Sequence, residues 1–450
     1  MESISYRVTL RIAKILNVLL VTIPVLGVWL LFYSTADGLY SLWKPACLVF
    51  IVFIMLYITY GRIYNSFYIS MACISEMVYS QCLAVIVSDG LLYALLCLVC
   101  HEFLVVWPLL LALIIQILFS ICWCVLAHKW YFKKYPPKKT AIVYDREESV
   151  DALIGAYGLR KKFCVLRSVN ATQCITNDYE EICDAETVFL CGVHSSDRNK
   201  IMKFCVSRNI SAYVLPSIGD VILSGAKQIN LFHLPFFRIG RYDPTPEYLL
   251  VKRLFDILVS IIALVVFSPV MLVTAVSIKL TDGGPVFYRQ KRLTKNGKEF
   301  YVLKFRSMCQ NAESDGIARL STGESDPRIT PVGRVIRKLR IDEIPQIFNI
   351  LSGNMSVVGP RPERPEIAAQ YEKQLPEFHL RLQAKAGLTG YAQVYGKYNT
   401  TPYNKLQMDL LYIAHPSFLE DIKIIFATIK ILFRSESTEG VAEGMDTAIK

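Results

Sequence analysis

VKRLFDILVSIIALVVFSPVMLVTAVSIKLT, residues 251–281, is the stretch on which the architecture turns. Its apolar part, Leu254 to Leu280, exceeds the ~20 residues that cross a bilayer as a helix, yet its middle reads Phe267-Ser268-Pro269. Proline removes a backbone donor and crowds the preceding turn, so it kinks a membrane helix, and a nearby serine can satisfy the freed carbonyls. Both flanks are basic, with Lys252 and Arg253 before and Lys279, Arg289, Lys291 and Arg292 after. A straight crossing would put one basic flank outside, against the orientation bias of positive residues. A re-entrant helix over 251–281 that breaks at Ser268-Pro269 and returns to the cytosolic face satisfies both constraints. A kinked true span is the alternative reading of the same residues.

Upstream, four apolar stretches fill the first third: about Ile15 to Tyr33, Ala46 to Tyr60, Met77 to Cys100 and Phe103 to Ala127. The second is short and borrows flanking residues. A cleaved signal peptide accounts poorly for the first, because no small-residue cleavage site follows it. Arg7, Arg11 and Lys14 precede the first stretch, and Lys129, Lys133, Lys134, Lys138 and Lys139 follow the fourth. Four crossings return the chain to its starting side, which the positive residues mark as cytoplasmic. Residues 1–135 therefore read as a four-helix transmembrane bundle, with the rest in the cytosol. Asp89, inside the third stretch, marks either a functional polar contact or a site near a polar neighbour or water. Cys97-Leu-Val-Cys100-His101 spells a c-type haem attachment pattern, but with no electron-transfer context it reads as an apolar helix end with incidental cysteines.

Composition agrees. Of 450 residues 53% are apolar and 19% charged, with 49 Lys+Arg against 38 Asp+Glu and a formal charge of +11. That balance argues against a disordered chain, a collagen-like repeat or a small disulfide scaffold. The 13 cysteines are scattered, and Cys47, Cys82, Cys122 and Cys124 lie inside apolar runs. Free thiols in a reducing compartment fit that distribution better than a disulfide framework.

Residues 138–245 alternate short β-branched runs with helical periodicity: Thr140 to Tyr144, Phe163 to Leu166, Thr187 to Cys191 and Ala212 to Leu215. The alternation predicts a cytosolic Rossmann-like α/β module with a parallel sheet. The turn after the first strand, Asp145-Arg146-Glu147-Glu148, lacks the G-x-G-x-x-G through which a backbone approaches a pyrophosphate. A structural or regulatory role is favoured over dinucleotide binding.

Beyond residue 281 the charges gather in dense motifs: Gly284-Pro-Val-Phe-Tyr-Arg-Gln-Lys291-Arg292, Leu303-Lys304-Phe-Arg306-Ser-Met308, Asp326-Pro-Arg-Ile-Thr-Pro-Val-Gly-Arg334, Ile336-Arg337-Lys-Leu-Arg340, Ile341-Asp342-Glu343-Ile-Pro-Gln346 and Gly359-Pro-Arg361-Pro-Glu-Arg364-Pro. Arginine suits phosphate oxygens because its planar fork donates two parallel hydrogen bonds. An acidic pair amid these cations would repel nucleic acid, so a small phosphorylated substrate fits better. Asp342 stands at a plausible helix start, with Pro345 in the first turn; a helix N-terminus favours an ionised carboxylate and a nearby phosphate. Two readings stay open: an ordinary N-cap aspartate with a first-turn glutamate, or a nucleophile with an acid/base or metal-holding partner. The surrounding Lys304, Arg306, Arg337 and Arg361 favour the second.

Lys252-Arg253-Leu-Phe-Asp256, the Ser268-Pro269 pair, Gly284 to Gln290, Leu303 to Met308, Asp326 to Thr330, Asp342 to Gln346 and Met355-Ser-Val-Val-Gly-Pro-Arg-Pro-Glu-Arg-Pro365 stand in one order. In this, residues 251–433 resemble the bacterial sugar transferases, the polyprenyl-phosphate glycosyl-1-phosphate transferases. Four spans plus an α/β module resemble that family's large polytopic subgroup. The resemblance implies a mainly α, monotopic catalytic domain over 248–436 with the re-entrant helix broken at Ser268-Pro269, followed by a mobile tail, 437–450. It implies a phosphotransferase on the cytoplasmic face of a bacterial inner membrane, working at the first membrane step of exopolysaccharide, capsule or O-antigen assembly. Asp342 would attack the β-phosphate of a UDP-sugar, expel UMP and hold the sugar phosphate until undecaprenyl phosphate takes it. Glu343 would assist as base, or with Asp342 as a partner of Mg²⁺. Lys304, Arg337 and Arg361 match positions with which the family binds phosphate, and Arg306, in the same charged motif as Lys304, is a further phosphate-binding candidate.

The chain departs from the pattern at Lys385-Ala386-Gly387 (commonly Arg-Pro-Gly), Tyr395-Gly396-Lys397 (Asn-Gly-Arg) and Gly353-Asn354-Met355 (Gly-Asp-Met). The second bears on which sugar nucleotide fits; glucose, galactose and their N-acetyl or deoxy relatives stay open, as does a homo-oligomer. Phe418 to Phe433, with Lys423 and Lys430, reads as a membrane-surface helix or a core helix. The rival function is a non-catalytic membrane scaffold that regulates polysaccharide assembly. A transporter is disfavoured because the spans lack a paired-charge pathway or obvious inverted repeats.

Overall fold

The computed structural model describes residues 2–33, 44–145, 150–156, 158–242, 244–309, 326, 328–396 and 400–432. The tail 437–450, expected to be mobile, lies outside them, as do Arg146, Glu147 and Glu148 of the turn after the first strand. The chain divides into two compact units, Met1–Leu215 and Pro216–Lys450. Residues 216–245 therefore count with the second unit.

The first unit opens with α1 (Glu2–Val28, continued by a π turn at Trp29–Tyr33), α2 (Lys44–Ile63), α3 (Ile74–Cys100) and α4 (Trp107–Lys134). Three carry spans long and apolar enough to cross a membrane; the second, Cys47–Ile63, is shorter. Phe103, expected inside the fourth helix, is 94% exposed ahead of it. The helix starts at Trp107 because Pro108, which has no N–H to give, suits a first turn. Helices α1 and α3 each pack against both α2 and α4. Between them lies a buried polar chain in which Tyr57 Oη donates to Asn17 Oδ1 (2.9 Å), Asn17 Nδ2 donates to Gln81 Oε1 (3.3 Å), and Gln81 Nε2 donates to Ser66 O (3.3 Å). Asp89 is buried as well, as is Gln116 of α4. Cys97 and Cys100 occupy the last turn of α3, and His101 caps it in a left-handed conformation (φ 54°). All 13 cysteines are free thiols.

Four strands follow, β1 (Lys138–Tyr144), β2 (Phe163–Asn170), β3 (Thr187–Cys191) and β4 (Ser211–Val214), in one parallel sheet of order β2-β1-β3-β4. Central β1 is buried continuously from Thr140 to Val143, as expected of a strand covered on both faces. At its end Asp145 Oδ2 accepts a 2.7 Å hydrogen bond from His194 N, ahead of the helix Ser195–Ser207. The positive helix terminus beside the crossover thus faces the chain's own carboxylate.

In the second unit the helix Ile218–Ser224 packs against the helix Pro402–Ala414, and its Val221 joins the main core with Phe300, Ile350, Val357, Phe378 and Ile424. The long helix Pro246–Asp282 is capped by Thr245, whose hydroxyl accepts from Tyr248 N, and it ends at left-handed Gly283. It runs without interruption through Pro269, where a break was expected. Pro269 cannot donate to Val265 O four residues back; Ser268 Oγ donates to that carbonyl instead, at 2.8 Å. A replaced hydrogen bond thus keeps the helix intact.

Near its start, Lys252, Asp256 and Ser260 are buried; toward its end, Thr274 and Ile278 are. Ile278 packs with Phe305 and Ile336. The closing helix Phe418–Leu432 buries Asp421, Ile424 and Ala427, so that face belongs to the core, while Leu419 is exposed.

Asp421, 1% exposed, ties the long helix to the closing one. Its carboxylate accepts from Lys252 Nζ (2.8 Å), Tyr248 Oη (3.0 Å) and Tyr412 Oη (2.9 Å). Removing one partner of a buried ion pair strands the other charge, at a cost of roughly 3–5 kcal/mol. Lys252→Met is therefore expected to lower the thermal midpoint of the detergent-solubilised protein sharply, and Lys252→Arg much less. Equal midpoints for wild type and Lys252→Met would show that the pair contributes nothing.

Candidate active site

The acidic pair sits between two short helices. Pro331–Lys338 begins at Thr330, whose Oγ1 accepts from Gly333 N at 2.9 Å, and buries Gly333 and Ile336. Gly333 has no room for a Cβ, which would strike Ser307 O; the close approach holds this helix against the segment that follows the strand Glu299–Phe305. The helix stops at Leu339, Arg340 turns the chain in a left-handed conformation (φ 56°, ψ 19°), and a single 3-10 turn, Ile341–Glu343, carries the two carboxylates. The next helix, Gln346–Leu351, begins directly after Pro345. Of the two open readings, the ordinary N-cap falls: the left-handed Arg340 is the N-cap, and Asp342 lies in the first turn of a 3-10 helix ahead of Gln346–Leu351.

The strand Glu299–Phe305 faces this turn with Lys304. Asn349 fixes the distance between them: its Nδ2 donates to Tyr301 O (2.8 Å) and its Oδ1 accepts from Leu303 N (2.9 Å). Arg253 of the long helix donates to Ile350 O and Leu351 O, at 2.7 and 2.8 Å, holding the far end of the same helix.

Arg361 arrives from the other side. Its strand, Ser356–Val358, pairs in parallel with Gly387–Thr389. The two chains meet backbone to backbone at Gly359 and Gly387, where a Cβ on either would strike the other chain. Asp256 Oδ1 accepts from Val357 N at 3.0 Å. After the strand, Arg381 Nη2 donates to Arg361 O at 2.9 Å while Arg381 Nε bonds Asp409 Oδ2 at 2.8 Å; Arg292 Nη1 donates to Pro362 O at 3.1 Å. These supports were missed in the sequence because each joins residues distant along the chain, and no local pattern announces them.

The two carboxylates are treated unequally. Glu343 Oε1 accepts from Lys304 Nζ at 2.7 Å and from Arg361 Nη2 at 3.2 Å. Burial pushes its carboxyl up, but the charges of Lys304, Arg361 and Arg340 outweigh it and hold Glu343 well below the usual carboxylate range. Asp342 forms no hydrogen bond or ion pair with any described residue. Burial, then the neighbouring Glu343 charge, push it up to about 6, against the pull of Lys304, Arg337 and Arg340. A helix N-terminus was expected to lower it; burial beside an anion outweighs that and raises it instead.

Of the expected phosphate ligands, Lys304 and Arg361 converge on Glu343. Arg337 bears on Asp342, and its Nη1 is buried with no hydrogen-bond partner among the described residues. Such an atom is costly unless something fills the space before it. Arg306 stands apart: its guanidinium is engaged by both oxygens of Asp282 at the end of the long helix rather than by the dyad. Ser268 and Pro269 lie on the exposed middle of that helix.

Residues 247–435 match the family model described as "Bacterial sugar transferase". The chain is 40% identical over 231 residues to the UDP-N-acetylgalactosamine-undecaprenyl-phosphate N-acetylgalactosaminephosphotransferase of Aeromonas hydrophila, covering 51% of this chain and 53% of that protein. It is 38% identical over 226 residues to the UDP-glucose:undecaprenyl-phosphate glucose-1-phosphate transferase of Xanthomonas campestris pv. campestris, covering 49% and 46%. It thus spans about half the length of these two curated relatives. A third, the exopolysaccharide production protein PSS of Rhizobium leguminosarum bv. phaseoli, is 40% identical over 201 residues, covering 43% of this chain and 98% of that protein. With four helices among the described residues long and apolar enough to cross a membrane, and with one relative matched over nearly its whole length, this multi-pass membrane protein belongs to the bacterial sugar transferase family.

Proposed function

We propose that the protein transfers a sugar 1-phosphate from a UDP-sugar to undecaprenyl phosphate, with release of UMP, as the first membrane step of exopolysaccharide or capsule assembly. The observation that carries this reading is the asymmetry of the dyad: Glu343 is pinned as an anion by two cations, while Asp342 beside it is unengaged and raised toward neutrality. A nucleophile needs an electron pair not already committed to a partner, and a raised pKa marks a more basic carboxylate that still ionises near neutral pH.

Asp342 Oδ attacks the phosphorus next to the sugar, the bond from that phosphorus to the oxygen shared with UMP breaks, and UMP leaves with the bonding pair. An oxygen of undecaprenyl phosphate then attacks the aspartyl phosphate and returns Asp342 as a free carboxylate. Arg337 and Arg361 would hold the diphosphate, and Lys304 keeps Glu343 charged and in place. Among the described residues no third His, Cys, Asp or Glu joins Asp342 and Glu343 in a metal cluster. Two carboxylates suit Mg²⁺ that arrives on substrate phosphates, and these two residues would share in holding it. Bound there, it would neutralise diphosphate charge as an anionic carboxylate approaches.

The long helix, unbroken at Pro269, supports a monotopic arrangement in which 251–281 lies in one face of the membrane without crossing it. Both its ends are embedded in the second unit, while 261–270 between them are mostly exposed and apolar. We place the four-helix bundle at 1–135, a Rossmann-like module from 138 that gives up 216–245 to the second unit, and the catalytic domain at 248–436, the last on the cytoplasmic face of the inner membrane, where a water-soluble donor and a lipid acceptor can both reach one carboxylate.

A panel of UDP-sugars tested with purified protein, Mg²⁺ and undecaprenyl phosphate is expected to give UMP release with at least one donor, and Asp342→Asn is expected to abolish it. Mass spectrometry of wild type trapped with donor alone should find a sugar-phosphate adduct on Asp342; its absence would sink the covalent route. Because the ionised form attacks, kcat/KM should fall as pH drops through about 6. In Glu343→Gln the neighbouring negative charge is gone, so any residual activity should keep its acid limb at lower pH than wild type. Arg337→Ala should raise the donor KM about tenfold or more, the loss of one charge-assisted hydrogen bond, with little change in thermal midpoint. Arg306→Ala should do the reverse, because it breaks the pair with Asp282. Equal effects of the two substitutions on KM would contradict this division of roles.

A further inference from the structure

The four-helix bundle holds a charge that the chemistry above does not use. Asp89 lies in the middle of α3, a helix long and apolar enough to cross a membrane, and is 3% exposed. Neither of its carboxylate oxygens has a hydrogen-bond partner, and no Lys, Arg or His among the described residues offsets its charge. Gln116 of α4 stands beside it. Its Nε2 donates to Val21 O of α1 at 3.1 Å, which fixes the side chain, and its Oε1 is left buried without a partner. Ser120 Oγ, one turn further along the same face of α4, is buried without a partner as well. Helices α3 and α4 pack against each other across a short connection, to which Tyr93 Oη bonds by donating to Leu104 O at 2.8 Å. Counted from that connection, back along α3 and forward along α4, Asp89 falls at a depth between Gln116 and Ser120.

Four buried oxygens from two facing helices, only one of them able to donate, thus share one level of the bundle with one negative charge. Buried polar atoms without partners are rare, and each calls for a group that completes it. Water alone is not that group, because it leaves the charge uncompensated in apolar surroundings. A proton on Asp89 removes the charge but reaches one oxygen, and Ser120, which has a hydrogen to give, stands out of hydrogen-bond range of the carboxylate. A cation removes the charge and reaches several oxygens at once. An all-oxygen set suits a hard ion. One carboxylate balances a single positive charge, whereas a divalent ion would leave net charge in the bundle core. No group of three or more His, Cys, Asp or Glu that could hold a metal occurs among the described residues.

We infer that Asp89, Gln116 and Ser120 form a site for a dehydrated alkali cation in the core of the four-helix bundle. The carboxylate supplies the charge, and the amide and hydroxyl oxygens complete the protein's share of the ligands. The ion ties α3 to α4, so the stability of the bundle depends on it. The site is independent of the acidic pair in the second unit and of the transferase reading.

The test uses full-length protein in detergent, as wild type, D89N and S120A, at one total salt concentration made up of NaCl, KCl and choline chloride in varied proportion. Choline is too large for the site and keeps the ionic strength constant. All five tryptophans, Trp29, Trp43, Trp107, Trp123 and Trp130, belong to the first unit, so a thermal melt read by their fluorescence follows that unit. The wild-type midpoint is expected to rise as sodium or potassium replaces choline, by roughly 3 °C per tenfold increase once the site fills, as mass action requires of a ligand that binds the folded state alone. D89N keeps the shape, loses the charge and should show no such rise. S120A should need several-fold more of the ion for the same rise. Sodium NMR reads binding without unfolding: wild type should broaden the line, and D89N should not. Equal wild-type midpoints in all three salts would mean that a proton neutralises Asp89 and would overturn the inference, as would the same ion dependence in D89N as in wild type. Should D89N fail to fold, an ion dependence in S120A identical to that of wild type counts against the site in its place.

Discussion

Two carboxylates on adjacent residues cannot share a partly buried turn unless at least one is neutralised. Here that is done asymmetrically, by Lys304 at 2.7 Å and Arg361 at 3.2 Å, both on Glu343. The second unit is arranged around this constraint. Asn349 locks the strand of Lys304 to the helix that follows the dyad, and Arg381 with Asp409 locks the segment that carries Arg361. Each cation comes from a different part of the chain, so the charge balance at Glu343 exists only when the tertiary fold is complete. Ionisation of the dyad is thereby linked to folding: the cations that hold Glu343 low also pull on Asp342, while burial and Glu343 itself push Asp342 up.

Buried and half-buried polar pairs recur as fasteners in this unit. Lys252 with Asp421, Arg306 with Asp282 and Arg381 with Asp409 each join segments that hydrophobic contact alone would leave free to slide. Such pairs add little net stability compared with apolar packing, but their geometry admits one register. A site that must present four cations to one turn benefits from that selectivity more than from extra stability.

Much of this was legible in the sequence. The apolar runs and the four parallel strands follow from composition and periodicity, which are local properties, and the acidic pair stands out as a charged motif; the runs from Thr140, Phe163, Thr187 and Ala212 fall on the four observed strands, the first starting two residues late and the second ending four early. Lys304 and Arg361 could be nominated because they stand in dense charged motifs. Arg306 was nominated on the same grounds, but its partner Asp282 is 24 residues away, and only the fold brings it close. Asp342 opens a 3-10 turn rather than the helix Gln346–Leu351, since Arg340 turns left-handed and nothing in the letters Leu339-Arg340-Ile341 signals that turn. The placement of residues 216–245 with the second unit escaped notice because Val221 finds its core neighbours in segments far along the chain.

The hydroxyl of Ser268 and the ring of Pro269 have to be considered as one object. Proline leaves Val265 O without its helical donor, and the serine supplies one from the side chain at 2.8 Å. Neither change is neutral by itself: losing the hydroxyl bares a carbonyl on an exposed apolar surface, and losing the ring makes the hydroxyl redundant. Drift at these two positions should therefore be correlated, with the pair kept or replaced together, and a chimera that swaps helices between relatives should cut outside them.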